Sequence, residues 1–116
     1  MIEAMHLEER RHGETIVVHL HGPVDPDRGD LPTLLSCVRA LANHGCTDIV
    51  LNVEALDVAS VDSLFMGTLA RAYISTNRAG AVLRLQNVPP ELRSLLAVTK
   101  LDRVIGIVQT DEPATR

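Results

Sequence analysis

The sequence predicts an α/β fold: a single domain built on a mixed, mostly parallel five-stranded sheet, with an antiparallel N-terminal edge and about three to four helices. Three observations carry that reading. The chain has 116 residues, 46% of them hydrophobic, which suits one core rather than two. From the second strand onward, short runs rich in Val, Ile and Leu alternate with segments of helical period, the pattern of parallel strands joined by right-handed crossovers. The first two extended runs are separated only by Gly13 and Glu14, a connection that favours an antiparallel hairpin.

In chain order, residues 3–11 alternate weakly and are charged, as suits an edge strand. Residues 15–21 (Thr-Ile-Val-Val-His-Leu-His) are rich in β-branched side chains and form the second strand. Residues 22–29 are turn chemistry throughout, with Gly22, Pro23, Asp25, Pro26, Asp27 and Gly29. Asp30 is then placed as an N-cap with Pro32 in the first turn. Leu31, Leu34, Leu35, Val38, Leu41 and Ala42 recur at helical spacing, giving an amphipathic helix over residues 31–44 that Gly45 ends. Residues 48–53 are a near-continuous apolar run, expected to be a central strand buried on both faces. After a turn at residues 58–67, Leu64, Met66, Leu69, Ala70, Tyr73 and Ile74 mark a second helix that Gly80 stops. Residues 81–85 form the fourth strand. Pro89 and Pro90 open a third helix whose buried stripe is Leu92, Leu95, Leu96 and Val98. Residues 104–108 form the fifth strand. The domain occupies residues 1–116, with its core in 3–109 and a polar tail at 110–116 that frays.

Composition narrows the function. The only large aromatics are Phe65 and Tyr73, which argues against a base-stacking surface, and a formal charge of −4 argues against a broad phosphate-binding face; no nucleic-acid partner is expected. Residues 1–12 carry several charges and no long apolar run, so no secretory signal is expected. No window approaches ~18 uninterrupted apolar residues, so no membrane insertion is expected. Cys37 and Cys46 have no metal-site spacing, and the expectation is a cytoplasmic protein with reduced thiols. Glycine-rich nucleotide loops, a Gly-x-Ser-x-Gly elbow and a His-Glu-x-x-His pair are all missing. The expectation is therefore a non-enzyme with no cofactor and no metal. His19 and His21 share a strand face near Asp25, but without a third convincing ligand they read as a solvated or partner-covered face.

The informative stretch is the turn into the second helix, where Ser60, Asp62 and Ser63 collect. Helix starts leave backbone N–H groups unpartnered. A hydroxyl or carboxylate there caps the helix, and a hydroxyl is also a group on which chemistry can be done. Met66 falls on the core stripe with Leu69 and Tyr73. Phe65 falls off it, which offers either an exposed anchor for a protein contact or a shield over Ser63.

Four strings, in order, resemble the STAS domain family of bacterial anti-sigma factor antagonists. Gly22, Pro23, Val24 and Asp25 resemble its Gly-x-Leu-Asp. Asp62 and Ser63, followed by Leu69, Arg71, Ala72, Tyr73 and Gly80, resemble its Asp-Ser-Ser-Gly-Leu helix start and the helix behind it. Asn87 through Leu96 resembles its fourth-strand exit and third helix, and Thr99 through Val104 its Thr-Gly-Leu-Asp approach to the last strand. The resemblance implies a module that binds an anti-sigma factor of the serine-kinase type and frees a sigma factor, with Ser63 as the phosphorylated residue. It places the partner contacts at Asp25, Ser60, Asp62, Ser63, Leu64, Phe65, Arg71 and Ser75. A homodimer is the other assembly considered.

This chain departs from the family at the switch itself: Leu64, Phe65 and Met66 stand where the family has Ser, Gly and Leu. Counting back from Tyr73 and Gly80 puts the acceptor at Ser63. Counting forward from Asn52 puts Ser60 at the acidic position and Val61 at the acceptor. A loop tolerates insertion better than a helix, which favours Ser63. The competing reading is an unphosphorylated STAS scaffold or assembly subunit. A small hydrolase or metal enzyme built on the histidines has no motif behind it.

Overall fold

The computed structural model describes residues 5–108. Its elements are β1 (His6–His12), β2 (Thr15–His21), α1 (Asp30–Asn43), β3 (Asp48–Asn52), α2 (Ser63–Arg78), β4 (Val82–Gln86), α3 (Pro90–Val98) and β5 (Gly106–Val108). Short 3-10 turns occupy Pro26–Arg28, Val58–Ser60 and Leu101–Arg103. The strands form one sheet in the order β1-β2-β3-β4-β5, with β1 antiparallel to β2 and every other pairing parallel. This is the predicted class and topology, with three α-helices.

Alternation along the strands sorts the side chains. Ile16, Val18 and Leu20 of β2, Ile49 and Leu51 of β3, and Leu83 and Leu85 of β4 join Leu34, Val38, Leu69, Leu92 and Leu96 of the helices in one buried cluster. Each such side chain contributes about 1.5–3 kcal/mol on burial. β3 is buried on both faces, because Val50 on the opposite side is also fully enclosed.

That opposite face carries a polar tie at the N-terminal ends of the parallel strands. Asp48 is ion-paired to Arg84 and accepts a hydrogen bond from the Thr15 hydroxyl at 2.9 Å. The stem of Arg84 crosses Gly106, where a Cβ would come within 3.3 Å of Arg84 Cγ, so a larger residue there would require that stem to shift by a few tenths of an ångström. Farther along the face, His19 and His21 stack with centroids 6.3 Å apart. Cys37 and Cys46 are free thiols. Burial, then the neighbouring Glu9 carboxylate, pushes the Cys37 thiol up to about 11.

Several boundaries differ from the sequence expectation. β1 begins at His6, and residues 3 and 4 lie outside the described residues, as does the 110–116 tail. β4 runs one residue later than expected. β5 is shorter, because Leu101–Arg103 coil into a 3-10 turn and only residues 106–108 reach β4. Val98 is 79% exposed rather than part of the α3 stripe, and Ile74 is exposed on α2. Asp30 is not the N-cap. Gly29 holds that position at φ 80°, a left-handed conformation that glycine adopts without strain, and Asp30 is already the first helical residue. Its carboxylate turns back to accept from Asp25 N–H at 2.7 Å and Arg28 at 2.9 Å. At Lys100, where the family string has Gly, the backbone is left-handed at φ 63°, which costs about 1 kcal/mol for a residue with a Cβ.

Candidate functional site

The site forms beyond the C-terminal ends of β2 and β3, where the chain leaves the sheet twice. The two exits are stitched together. Gly22 N–H donates to Ala55 O and Asp57 N–H to Gly22 O, both at 3.1 Å, extending the parallel pairing past the strands. Ser60 completes the stitch: its hydroxyl accepts from Val24 N–H at 2.9 Å and donates to Asp57 O at 2.6 Å. These bonds fix the 58–62 approach against the 22–30 loop, so α2 starts from a braced position.

Carboxylates then cap the turns at Pro26–Arg28 and Val58–Ser60 and the start of α2. Asp25 accepts from Asp27 N–H, Asp57 from Ala59 N–H, and Asp62 from Leu64 and Phe65 N–H at 3.1 and 3.2 Å. Arg28 bridges Asp25 and Asp30, at 3.3 and 2.9 Å, and ties the first loop into one unit. Asp62 is thus the N-cap of α2 and Ser63 its first residue. The capping task considered for Ser63 is done by its neighbour. The Ser63 side chain is exposed and makes no hydrogen bond within the described residues.

Ser63 stands between two grooves that flank α2. One, of about 330 Å³, lies between α1 and α2; Leu31, Pro32 and Leu35 line one wall, and Leu64, Thr68 and Arg71 the other. The second, of about 270 Å³, lies toward α3 and is lined by Met66, Ala70, Thr99 and Leu101. Ser63 and Gly67 border both. Leu64 is 57% exposed and Arg71 is exposed beside it. Ser75 lies farther down α2, half-buried, and accepts from Arg39 Nε at 2.9 Å.

Of the residues singled out from the sequence, Ser63, Leu64 and Arg71 share one groove. Asp25, Ser60 and Asp62 support it from the adjoining loops, with their polar atoms already engaged. Phe65 is a correction. It is fully buried, so its side chain is neither an exposed anchor nor a shield over Ser63; it packs in the core beneath the turn. Met66 is buried, as its place on the stripe implied. The α1 wall of the groove was missed. Its signal was present: Leu31, Leu34 and Leu35 make a stripe wider than one buried row, and only Leu34 is fully enclosed. Gly67 closes the 58–67 turn singled out from the sequence, and it borders both grooves.

Among the described residues, no helix is long and apolar enough to cross a membrane, and no group of three or more His, Cys, Asp or Glu is placed to hold a metal ion.

No curated protein matches the sequence. The fold is similar to a Thermotoga maritima protein designated a candidate anti-sigma factor antagonist, with TM-score 0.78 and 18% identity over 90% of this chain and 87% of that one. It is similar to an anti-sigma factor antagonist from Mycobacterium paratuberculosis, with TM-score 0.76 and 19% identity over 92% and 87% of the two chains. It is also similar to the Bacillus cell fate determinant SpoIIAA in its phosphorylated form, with TM-score 0.71 and 22% identity over 96% of each chain. A family model described as Mlab, STAS domain matches residues 7–109. With that match across nearly the whole described chain and the fold to go with it, the chain belongs to the STAS domain family.

Proposed function

We propose that this protein is a non-catalytic regulator of anti-sigma factor antagonist type, acting in the cytoplasm. It binds an anti-sigma factor with serine-kinase activity and so frees a sigma factor; phosphorylation of Ser63 ends that binding. The observation that carries the reading is the division of labour at the head of α2. Asp62 caps the helix, and the Ser63 hydroxyl is left exposed and unbonded beside a groove.

The chemistry follows from that geometry. A phosphate on Ser63 adds nearly two negative charges at the head of α2. Free N–H groups and the macrodipole favour an anion at a helix start, but Asp62 already occupies the Leu64 and Phe65 N–H groups. The new charge therefore meets a carboxylate, a repulsion on the order of 1 kcal/mol in an exposed setting. The fold is retained and the contact surface becomes more negative at the mouth of the groove, which is how such a modification acts as an off-switch. Similarity to a phosphorylated SpoIIAA structure supports the same reading.

The test is incubation with candidate anti-sigma kinases and ATP. Wild type gains about 80 Da, one phosphoryl group, and Ser63→Ala gains nothing. Label persisting on Ser63→Ala moves the site elsewhere.

A second reading is favoured by one observation. Leu64 is exposed and Phe65 is fully buried where the family string has Ser and Gly, so the turn presents a bulky apolar neighbour to any kinase. In this reading the chain is an unphosphorylated scaffold or assembly subunit, with a homodimer as one form. Equal binding of a partner to wild type and Ser63→Asp selects it; loss of binding on Ser63→Asp selects the switch.

A further inference from the structure

The exposed stripe of α2 reads Ser63, Gly67, Arg71, Ile74 and Arg78, positions that fall on one side of a helix. Two features of this stripe serve nothing inside the molecule. The first is charge. α2 holds two arginines and no acidic residue, and facing it on α1 is Arg39. The only acid of α1, Asp30, is paired with Arg28. Among the described residues Arg39, Arg71 and Arg78 have no acidic partner. The guanidinium of Arg39 is instead steadied by Ser75 beside Arg78, in a shallow depression between the ends of the two helices. The helix pair is therefore net positive in a chain of net charge −4. The loop end above it is acidic, with Asp25, Asp27, Asp57 and Asp62.

The second feature is Gly67. It sits in the interior of α2, where glycine destabilises a helix, and its φ is not positive. A Cβ added there would meet nothing within 4 Å, so neither backbone conformation nor internal packing calls for glycine. Gly67 borders the grooves on both sides of α2 at the level of Ser63 and places no side chain between them.

We infer that the α1–α2 flank docks an acidic, amphipathic helical segment of a protein partner, whose apolar side chains enter the groove at Leu31, Leu35 and Leu64 across Gly67 and whose carboxylates meet Arg71, Arg39 and Arg78. This rests on the reading of the chain as a partner-binding module and specifies the chemistry of the partner. Charge complementarity selects the occupant: an acidic segment matches three unpaired arginines, while a basic one would be repelled by them. The arrangement also gives Ser63 its leverage, since it stands where the acidic loop end meets the basic flank. A phosphate there extends the acidic region into the groove and repels the carboxylates of the docked segment.

The probe is a labelled helical peptide of about 16 residues, the length of α2, with Leu and Glu at i, i+4 spacing, alongside its Lys-for-Glu counterpart. The Glu peptide is expected to bind with its amide shifts centred on Gly67, Arg71 and Arg78, and to weaken as salt rises. The Lys peptide, or the Glu peptide on a variant carrying Arg39→Gln, Arg71→Gln and Arg78→Gln, is expected to bind at least about tenfold more weakly. Gly67→Leu is expected to keep or raise Tm, because the position is open, and yet to lose the peptide. Equal binding of the two peptides, no binding by about 1 mM, shifts mapping off the flank, or full binding by Gly67→Leu would each overturn the inference. A dimer dispersed by the triple arginine variant would make the occupant a second copy and overturn it too. These readouts need no kinase. Peptide binding without Ser63 labelling keeps the flank and removes the switch, and labelling without peptide binding does the reverse.

Discussion

The two ends of the parallel strands use polar residues in opposite ways. At the N-terminal end, Thr15, Asp48 and Arg84 spend their polar atoms on each other and fix β2, β3 and β4 side by side. The fit is incomplete: Asp48 Oδ1 and Arg84 Nε are buried without hydrogen-bond partners among the described residues. Such a pair sets register more than it adds net stability. At the C-terminal end the polar atoms also bond inward, but to backbone: Asp25, Asp57 and Asp62 accept from N–H groups of the turn that follows each, and Ser60 accepts from Val24 N–H and donates to Asp57 O. Among the described residues the Ser63 hydroxyl at this end is exposed and makes no hydrogen bond. A polar cluster that closes on itself is structural, and one that braces a turn while sparing a reactive group builds a site.

The sharpest way to test that contrast is to remove what lies beneath the site. Phe65→Ala empties a fully buried position and should cost about 3–5 kcal/mol in urea unfolding, whereas Leu64→Ala, at an exposed neighbour, should stay within about 0.5 kcal/mol. If Phe65→Ala left stability intact and weakened partner binding instead, Phe65 would belong to the surface and the division would fail. At the other end, Arg84→Ala leaves the Asp48 carboxylate half-enclosed and unpaired, and should cost about 2–4 kcal/mol without altering affinity once the protein is folded. Replacing both, Asp48→Val with Arg84→Leu, should recover most of the loss; a double variant as unstable as the single one would mean the pair contributes more than register.

Smaller effects sharpen the comparison. Asp62→Ala removes the α2 cap and should cost about 1 kcal/mol, while Ser63→Ala should change stability by less than about 0.5 kcal/mol, since its hydroxyl bonds to nothing. A larger loss at Ser63 would make the serine a structural cap after all. The smallest effect lies on the face away from the helices. Burial first, then the charge of Arg10, lowers the His19 pKa below its usual 6.5. Between the lowered value and 6.5 the unfolded chain binds more protons than the folded one, so stability declines as pH falls through that window. His19→Gln should flatten this decline in chemical melts between pH 7 and pH 5, with little change at pH 7.

The sequence alone carried the architecture far. Helical period in Leu34, Val38, Met66 and Leu69, and the near-continuous apolar run of β3, record which side chains must leave water, and burial is the dominant force in folding. Tertiary structure decided the assignments that depend on neighbours distant in sequence. Asp30 reads as a cap until Gly29 takes the left-handed position and Arg28 draws its carboxylate back. Val98 reads as core and is not, because two residues past Leu96 it lies on the side of α3 turned away from Leu92 and Leu96. Phe65 reads as lying off the α2 stripe, yet the buried face runs through Phe65, Leu69, Ala72 and Thr76, so Phe65 heads that face and is enclosed with it. For the site, Asp62 and Ser63 were legible as a pair, but which one caps and which stays free is a matter of side-chain direction. The second wall of the groove came from α1, separated from Ser63 by a whole strand and crossover. Local sequence sets what a segment prefers to be; what its polar atoms meet is settled only when the two loops at the end of the sheet are stitched together.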